Sequence, residues 1–338
     1  MEVSAEEEVR QVEMQRPHLV ILGAGASYAA FPKGDRHGRK LPLMNNLVET
    51  LGLEHLLAET RVEFSSRNFE DIYAQIHERS DLTDIRERLE REVYRYFEEM
   101  ELPDHPTIYD HLVLSLREKD VIATFNWDPF LAQAIKRNLH RCKPPMAIFL
   151  HGNVQIGACP QGHMMGINGV ICMSCGEHFV PSRLLYPITE KNYEKDPFIS
   201  KQWKVMGMVL KNAFMVTIFG YGAPVSDVGA IKLLKDAWGT VDARNMEEIE
   251  IIDIRDEGDL REIWSPFIHT HHYEVSKNFY QSWLANHPRR TGEAYINQFL
   301  RAKFIEGNPL PKDAGFQELW SWFDKFHTAE AEANAKRT

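Results

Sequence analysis

Several side chains of this chain have the types and spacing that chemistry needs. Gly23, Ala24, Gly25, Ala26 and Ser27 follow an apolar run, V-I-L, and form a glycine-rich turn of the kind that offers backbone N–H groups to a phosphate at a helix start. Tight strand-to-helix turns use the same glycines for steric reasons, so the turn by itself reads both ways. Asn126 and Asp128 lie in T-F-N-W-D and His151 lies in L-H-G. An amide such as that of Asn126 can orient water or a sugar hydroxyl. An imidazole such as that of His151 can take a proton near neutral pH, its unperturbed pKa being about 6.5. Asp128 can hydrogen-bond a carboxamide or hold a neighbour in place. Each has a plainer reading: His151 as a satisfied structural histidine, Asn126 and Asp128 as caps of a helix starting near Pro129. Gly220, Tyr221, Ser226 and Asp227 in F-G-Y-G-A-P-V-S-D can meet a ribose or phosphate, or cap a helix over Val228–Trp238. Asp253 can bind a ribose, as acidic residues do in dinucleotide folds, or start a helix near Asp259.

A second constellation is metal-like. Cys159 and His163 form a C-x-x-x-H pair, and Cys172 and Cys175 form a C-x-x-C knuckle beyond a short glycine- and asparagine-containing turn. Two close pairs across a hairpin suit a tetrahedral Zn²⁺. His178 is the rival fourth ligand. Four protein ligands leave no open coordination position, so such a zinc is structural. His269, His271 and His272 alternate like one strand and lack ligand-pair spacing.

Elements must bring these residues together. Five segments open as apolar strands and end in polar residues: Val20–Tyr28, Val121–Asp128, Met146–Asn153, Phe214–Asp227 and Ile249–Asp253. Continuous apolarity is what strands buried on both faces of a parallel sheet require. Ligands in such sheets bind beyond the carboxyl ends of the strands, so the polar residues are delivered to one rim. The expected fold is α/β: a doubly wound Rossmann-type parallel sheet with a helical insertion, a small zinc-binding module and a helical C-terminal region. The expected division is 17–275 for the nucleotide-binding unit, with the insertion at about 40–115 and the zinc module at about 157–180, followed by 276–330. Helical spacing is read at Leu43 to Leu57, Asn68 to Gln75, Asp84 to Glu99 (with Leu89, Val93 and Tyr96 recurring) and Lys201 to Asn212. The final A-E-A-E-A-N-A-K-R-T reads as frayed.

In their order, G-A-G-A-S, T-F-N-W-D, L-H-G and F-G-Y-G-A-P-V-S-D resemble sirtuins, over roughly Leu19 to Asp253. They are most similar to divergent bacterial sirtuin-like proteins that hydrolyse NAD in anti-phage defence. The resemblance implies that Asn126 and His151 carry catalysis, and that a structural zinc module follows the L-H-G strand. Deacetylating sirtuins usually have T-Q-N-I-D; here Phe125 replaces the glutamine and Trp127 the isoleucine. Their cofactor-loop proline, aspartate, phenylalanine and arginine are replaced by Phe31-Pro32-Lys33-Gly34-Asp35, and their F-G-E segment after the zinc module is missing. The implied activity is therefore NAD glycohydrolysis, giving nicotinamide and ADP-ribose. Cleaving the nicotinamide–ribose bond passes through an oxocarbenium-like state, as in glycoside hydrolysis, and nicotinamide leaves neutral, so no acid is needed. NAD is then the substrate and Zn²⁺ the structural ion. The alternatives are NAD-dependent protein deacylation, with a peptide added as a strand, and a non-catalytic NAD- or ADP-ribose-binding subunit.

Composition fits an enzyme of about two ordinary domains: 338 residues, 43% hydrophobic, net charge −10. That charge argues against a general nucleic-acid surface. The sequence has no apolar run of membrane-spanning length, and its acidic start is unlike a secretory signal; the expected compartment is the cytoplasm. A toxic NAD hydrolase needs restraint. A homo-oligomer is therefore expected, with the aromatic-rich stretch Tyr280 to Phe326 and the helices between Leu43 and Glu99 as its surface. A partner ATPase or a phage-derived activator is expected as the trigger.

Overall fold

The computed structural model describes residues 2–188, 193, 195–224, 227–244, 246–265, 267–268 and 272–336. In chain order its strands are β1 (Glu2–Val3), β2 (His18–Leu22), β3 (Val121–Thr124), β4 (Met146–Phe149), β5 (Ile156–Ala158), β6 (Met165–Ile167), β7 (Val180–Pro181), β8 (Met215–Phe219), β9 (Glu248–Ile252), β10 (Tyr273–Ser276) and β11 (Phe304–Ile305). Six of them form one parallel sheet in the order β10-β9-β8-β2-β3-β4. This is the doubly wound order, and its direction reverses between β2 and β8. The sheet has one strand more than the five read from the sequence, since Tyr273–Ser276 adds a parallel edge beside β9.

Alternation along each strand divides the core. Leu19, Ile21, Val216, Ile218, Ile249 and Ile251 face one side, under Trp203, Met206 and Leu210 of the helix Pro197–Asn212, Leu234 of Val228–Trp238, and Leu260 and Trp264 of Glu257–Trp264. Val20, Leu22, Ile122, Phe149, Phe219 and Ile252 face the other, with Leu89, Val93, Phe97, Tyr109 and Leu112 of the insertion and Phe130 and Leu131 of the helix Phe130–Asn138. Each fully buried side chain of this size contributes about 1.5–3 kcal/mol.

The insertion between β2 and β3 is helical, as expected, but the stretch Leu43 to Leu57 is two short helices, Leu47–Leu51 and Glu54–Glu59. Gly52 separates them in the left-handed region, with φ 67°, and the Leu53 N–H returns to Val48 O, a glycine-terminated helix end. The helix Thr83–Glu98 buries Leu89, Val93 and Phe97; Tyr96 instead donates its hydroxyl to Lys40 O at 2.6 Å.

The two chain ends interlock. β1 pairs with β11, Glu8 meets His287 at 2.6 Å, and Arg290 gives Nε and Nη2 to Val9 O. Glu330, on the last helix, Phe316–Ala335, receives Arg289 at 2.6 Å and Arg290 at 2.8 Å. These arginines hold the Glu330 carboxyl down at about 2, against the upward push of burial. The stretch expected to fray thus continues that helix to Ala335. Most C-terminal aromatics serve packing: Phe323 and Phe326 are fully buried, and Phe323 packs with Leu319, Leu114 and Cys142. Among the described residues no helix is long and apolar enough to cross a membrane.

Candidate functional site

Where the strand order reverses, the ends of β2 and β8 meet through glycines. A Cβ on Gly23 would lie 2.5 Å from Tyr221 Cα, and one on Gly25 would lie 2.8 Å from Gly220 Cα. Gly220 has φ 61°, and its own Cβ would sit 2.2 Å from Ala26 N. The Gly23 N–H donates to Phe219 O and the Gly25 N–H to Gly220 O, at 3.0 and 2.9 Å. The steric reading of the turn is therefore realised. These two N–H groups close the junction between strands, and the short helix Ala24–Ala30 starts directly on it.

Next to this junction lies a buried polar network. β3 delivers Asn126 two residues past Thr124. Its Nδ2 donates to Gly23 O and to Ser27 Oγ, both at 2.9 Å, and lies 3.4 Å from Tyr109 OH. Ser27 Oγ donates to Asp128 Oδ2 at 2.7 Å and sits 2.6 Å from Tyr109 OH. Asp128 Oδ1 accepts the Phe130 N–H at 3.3 Å, but the N-cap position of the helix Phe130–Asn138 is Pro129, so neither Asp128 nor Asn126 occupies it. Burial pushes the Asp128 carboxyl up to about 6, opposed by its hydrogen bonds from Ser27 and Phe130. Asn153 Nδ2 ties down Asp128 O at 2.6 Å.

β4 delivers His151 at the same level on the neighbouring strand, because Thr124 is in register with Phe149. His151 Nε2 lies 3.7 Å from Asp227 Oδ1, and Tyr221 OH donates to Asp227 Oδ2 at 2.9 Å. All three residues are buried. Phe125 stacks on Tyr221 with ring centroids 4.0 Å apart and meets His151 edge-on at 4.8 Å. This places a carboxylate oxygen 3.7 Å from a buried imidazole nitrogen.

Asn126, Ser27, Asp128 and Gly23 are thus joined in one hydrogen-bonded network beside the helix start Ala24–Ala26, and His151, Phe125, Tyr221 and Asp227 form a second cluster next to Gly220. Asp253 stands at the end of β9 but is held bidentate by Arg255, at 3.0 and 2.6 Å; Arg255 keeps its carboxyl below the usual range against burial. The following helix begins at Asp256, so Asp253 does not start it. Ser226, His269 and His271 lie outside the described residues. Sequence reading missed Tyr109. It stands 82 positions from its Ser27 partner, on the insertion helix Ile108–Ser115, and no local spacing reveals the contact.

The cysteine cluster lies in the turns that connect the strands of the small antiparallel sheet β6-β5-β7: Cys159 and His163 between β5 and β6, Cys172 and Cys175 between β6 and β7. The ligand atoms of Cys159, His163, Cys172 and Cys175 all fall within 4.8 Å of one another. Cys159 Sγ is 3.4 Å from Cys175 Sγ and 3.6 Å from His163 Nδ1, and Cys172 Sγ is 3.9 Å from the same nitrogen. A tetrahedron with ordinary zinc–sulfur and zinc–nitrogen bonds has edges of about 3.5–3.8 Å. The four residues therefore fit Zn²⁺. His178 is elsewhere, its Nδ1–H donating to Gly169 O at 2.9 Å. His163 is thus the fourth member of the set. His178→Ala is expected to keep one zinc per chain by elemental analysis, and His163→Ala to lose most of it.

No protein-family model matches the sequence, and none of the curated proteins compared with it matches. Among solved structures, the chain is similar to one described as the structural basis for the mechanism and regulation of Sir2 enzymes, at 14% identity over 88% of this chain and 97% of that one, with TM-score 0.39. A Sir2 homologue in complex with NAD matches at 13% identity over 88% and 91%, with TM-score 0.38. A mutant Sir2 homologue in complex with ADP-ribose matches at 11% identity over 96% of each chain, with TM-score 0.36. Identity and TM-score are low in all three.

Proposed function

We propose that this protein hydrolyses NAD at the nicotinamide–ribose bond, releasing nicotinamide and ADP-ribose. The observation that carries the reading is the placement, at the same level of the sheet, of a His151 flanked by the Asp227 carboxylate and an Asn126 amide immobilised by Gly23 and Ser27. The two stand on adjacent strand ends beside the switch point of a doubly wound sheet, where such folds receive nucleotides. Attack by water at the anomeric carbon breaks the C–N bond. The electron pair goes to the nicotinamide ring nitrogen, and the water proton goes to His151. The Asn126 carbonyl oxygen orients the water or a ribose hydroxyl. Asp227 supports the imidazolium as it forms.

Phe125 favours hydrolysis over deacylation as the reading. Its ring fills the space between Tyr221 and His151, where the resembling deacetylases carry a polar glutamine. The same reading makes the protein a regulated cytoplasmic effector of anti-phage defence, held in check by assembly or by a partner ATPase until a phage-derived trigger arrives. Exposed Phe299, Leu300 and Phe304, near the chain ends, offer an apolar surface for a homo-oligomer.

Purified protein is incubated with NAD, alone and with an acyl-lysine peptide, and the products are separated by chromatography. Nicotinamide and ADP-ribose in equal amounts without peptide are expected. Nicotinamide release that requires the peptide, with acyl transfer to ADP-ribose, would replace hydrolysis with deacylation. NAD binding without any nicotinamide release would leave a nucleotide-binding subunit.

A further inference from the structure

The proton arrangement around Asn126 follows from its neighbours. Gly23 O can only accept, so the Asn126 atom 2.9 Å from it is the amide nitrogen, and the orientation of the carboxamide is settled by chemistry. The second Nδ2 hydrogen goes to Ser27 Oγ. Ser27 has one hydrogen and gives it to Asp128 Oδ2, 2.7 Å away. The short contact between Tyr109 OH and Ser27 Oγ must then use the phenol hydrogen, with Tyr109 donating. Ser27 Oγ accepts from both Tyr109 and Asn126 and donates once, which exhausts its capacity. Both Asn126 amide hydrogens are spent, so the atom it can offer a substrate is its carbonyl oxygen.

We propose that Tyr109 is a positioning residue, which through Ser27 locks the Asn126 carboxamide with its carbonyl oxygen left for the substrate. Its kinetic consequence rests on the NAD-hydrolysis reading; the geometric claim does not. Tyr109 is only 2% exposed. Its ring is held between Phe31, at 5.9 Å, and Phe130, at 6.2 Å. The hydroxyl therefore cannot swing away without moving the helix Ile108–Ser115. Without the phenol hydrogen, Ser27 can rotate and redirect its own, and the Asn126 amide loses its fixed acceptor. The insertion thereby reaches the site through one hydroxyl.

The test compares Tyr109→Phe, Ser27→Ala and the double variant in the full chain. Phenylalanine keeps the ring contacts, and Ser27→Ala probes the same linkage independently if Tyr109→Phe does not fold. For Tyr109→Phe, kcat for NAD is expected to fall by about tenfold, with KM changed less than twofold, as for loss of one hydrogen bond to a positioned group. The double variant is expected to match Ser27→Ala, because residues acting in series are not additive. A second readout is independent of turnover. Hydrogen exchange of the Asn126 side-chain amide, seen with ¹⁵N-labelled asparagine, is expected to be slow in the parent and about tenfold faster in Tyr109→Phe. Unchanged kcat with unchanged exchange would overturn the proposal, as would losses that add fully in the double variant. If the parent protein releases no nicotinamide, the hydrolysis reading fails. The exchange rates then decide Tyr109 alone: faster in Tyr109→Phe sustains the lock, equal rates refute it.

Discussion

Asn126→Ala and His151→Ala are each expected to lower NAD cleavage by about a hundredfold or more, with the fold retained. Loss of a positioned acid–base group typically costs about 10²–10⁴-fold. The two losses have different causes. On the proposed mechanism, removing His151 takes away the proton acceptor that stands 3.7 Å from Asp227. Removing Asn126 leaves Ser27 and Asp128 in place but deletes the acceptor that orients the nucleophile. Both side chains follow the strands and are not part of the sheet ladder, so circular dichroism should change little, while Asn126→Ala should lower the melting temperature because Gly23 O loses its side-chain donor. Single-turnover kinetics on folded variants is the deciding measurement. His151→Ala with near-parental nicotinamide release would remove His151 from the chemistry. The same result for Asn126→Ala would assign the amide a purely structural role at Gly23.

The strand ends were legible because each carries a composition that few other environments tolerate. His18–Leu22 and Met215–Phe219 are wholly buried, and nearly continuous apolarity announces a parallel strand covered on both faces. The rim residues then follow from strand direction alone, which is how Asn126, Asp128 and His151 could be named from the sequence. What stayed hidden depends on contacts distant in sequence. Gly23 and Gly25 look like phosphate-binding glycines, yet their lack of a Cβ is demanded by Gly220 and Tyr221, nearly two hundred positions on. Tyr109 looks like one more core aromatic of an apolar helix. Only the tertiary fold sets its hydroxyl against Ser27. Tyr273–Ser276 lacks the continuous apolarity of the other strands because Tyr273 and Val275 are only half-buried and Glu274 is exposed, as suits an edge strand. The zinc set was legible for the opposite reason: its ligands come as two local pairs, one at the β5–β6 turn and one in the turn closed by Ile171 and His178, so spacing and geometry coincide.

One Zn²⁺ per chain is expected on elemental analysis of protein purified without chelator, and Cys172→Ser is expected to abolish it. Cys172 is fully buried in its small cluster with Cys159 and Phe179, so the module has little apolar core of its own. Below a certain core size a metal must supply the folding energy, and structural zinc sites in small peptides contribute about 10–16 kcal/mol at neutral pH. A strong chelator should therefore unfold residues 157–181 first, read as new protease cleavage there while the six-stranded sheet keeps its cooperative melt. The chemistry should fail next, since the module's flank anchors the site. Ser182 Oγ accepts the Asn153 N–H and donates to Asn153 O, Asn153 holds Asp128 O, and the Leu185 N–H holds His151 O. Loosening that flank frees His151 and Asp128 together, so NAD cleavage should decline after the new cleavage sites open and return when zinc is restored. Cleavage that stops at once, before the module opens, would instead mean that the metal acts in the reaction. Absence of zinc from active protein would leave the four residues as reduced side chains gathered by the two turns alone.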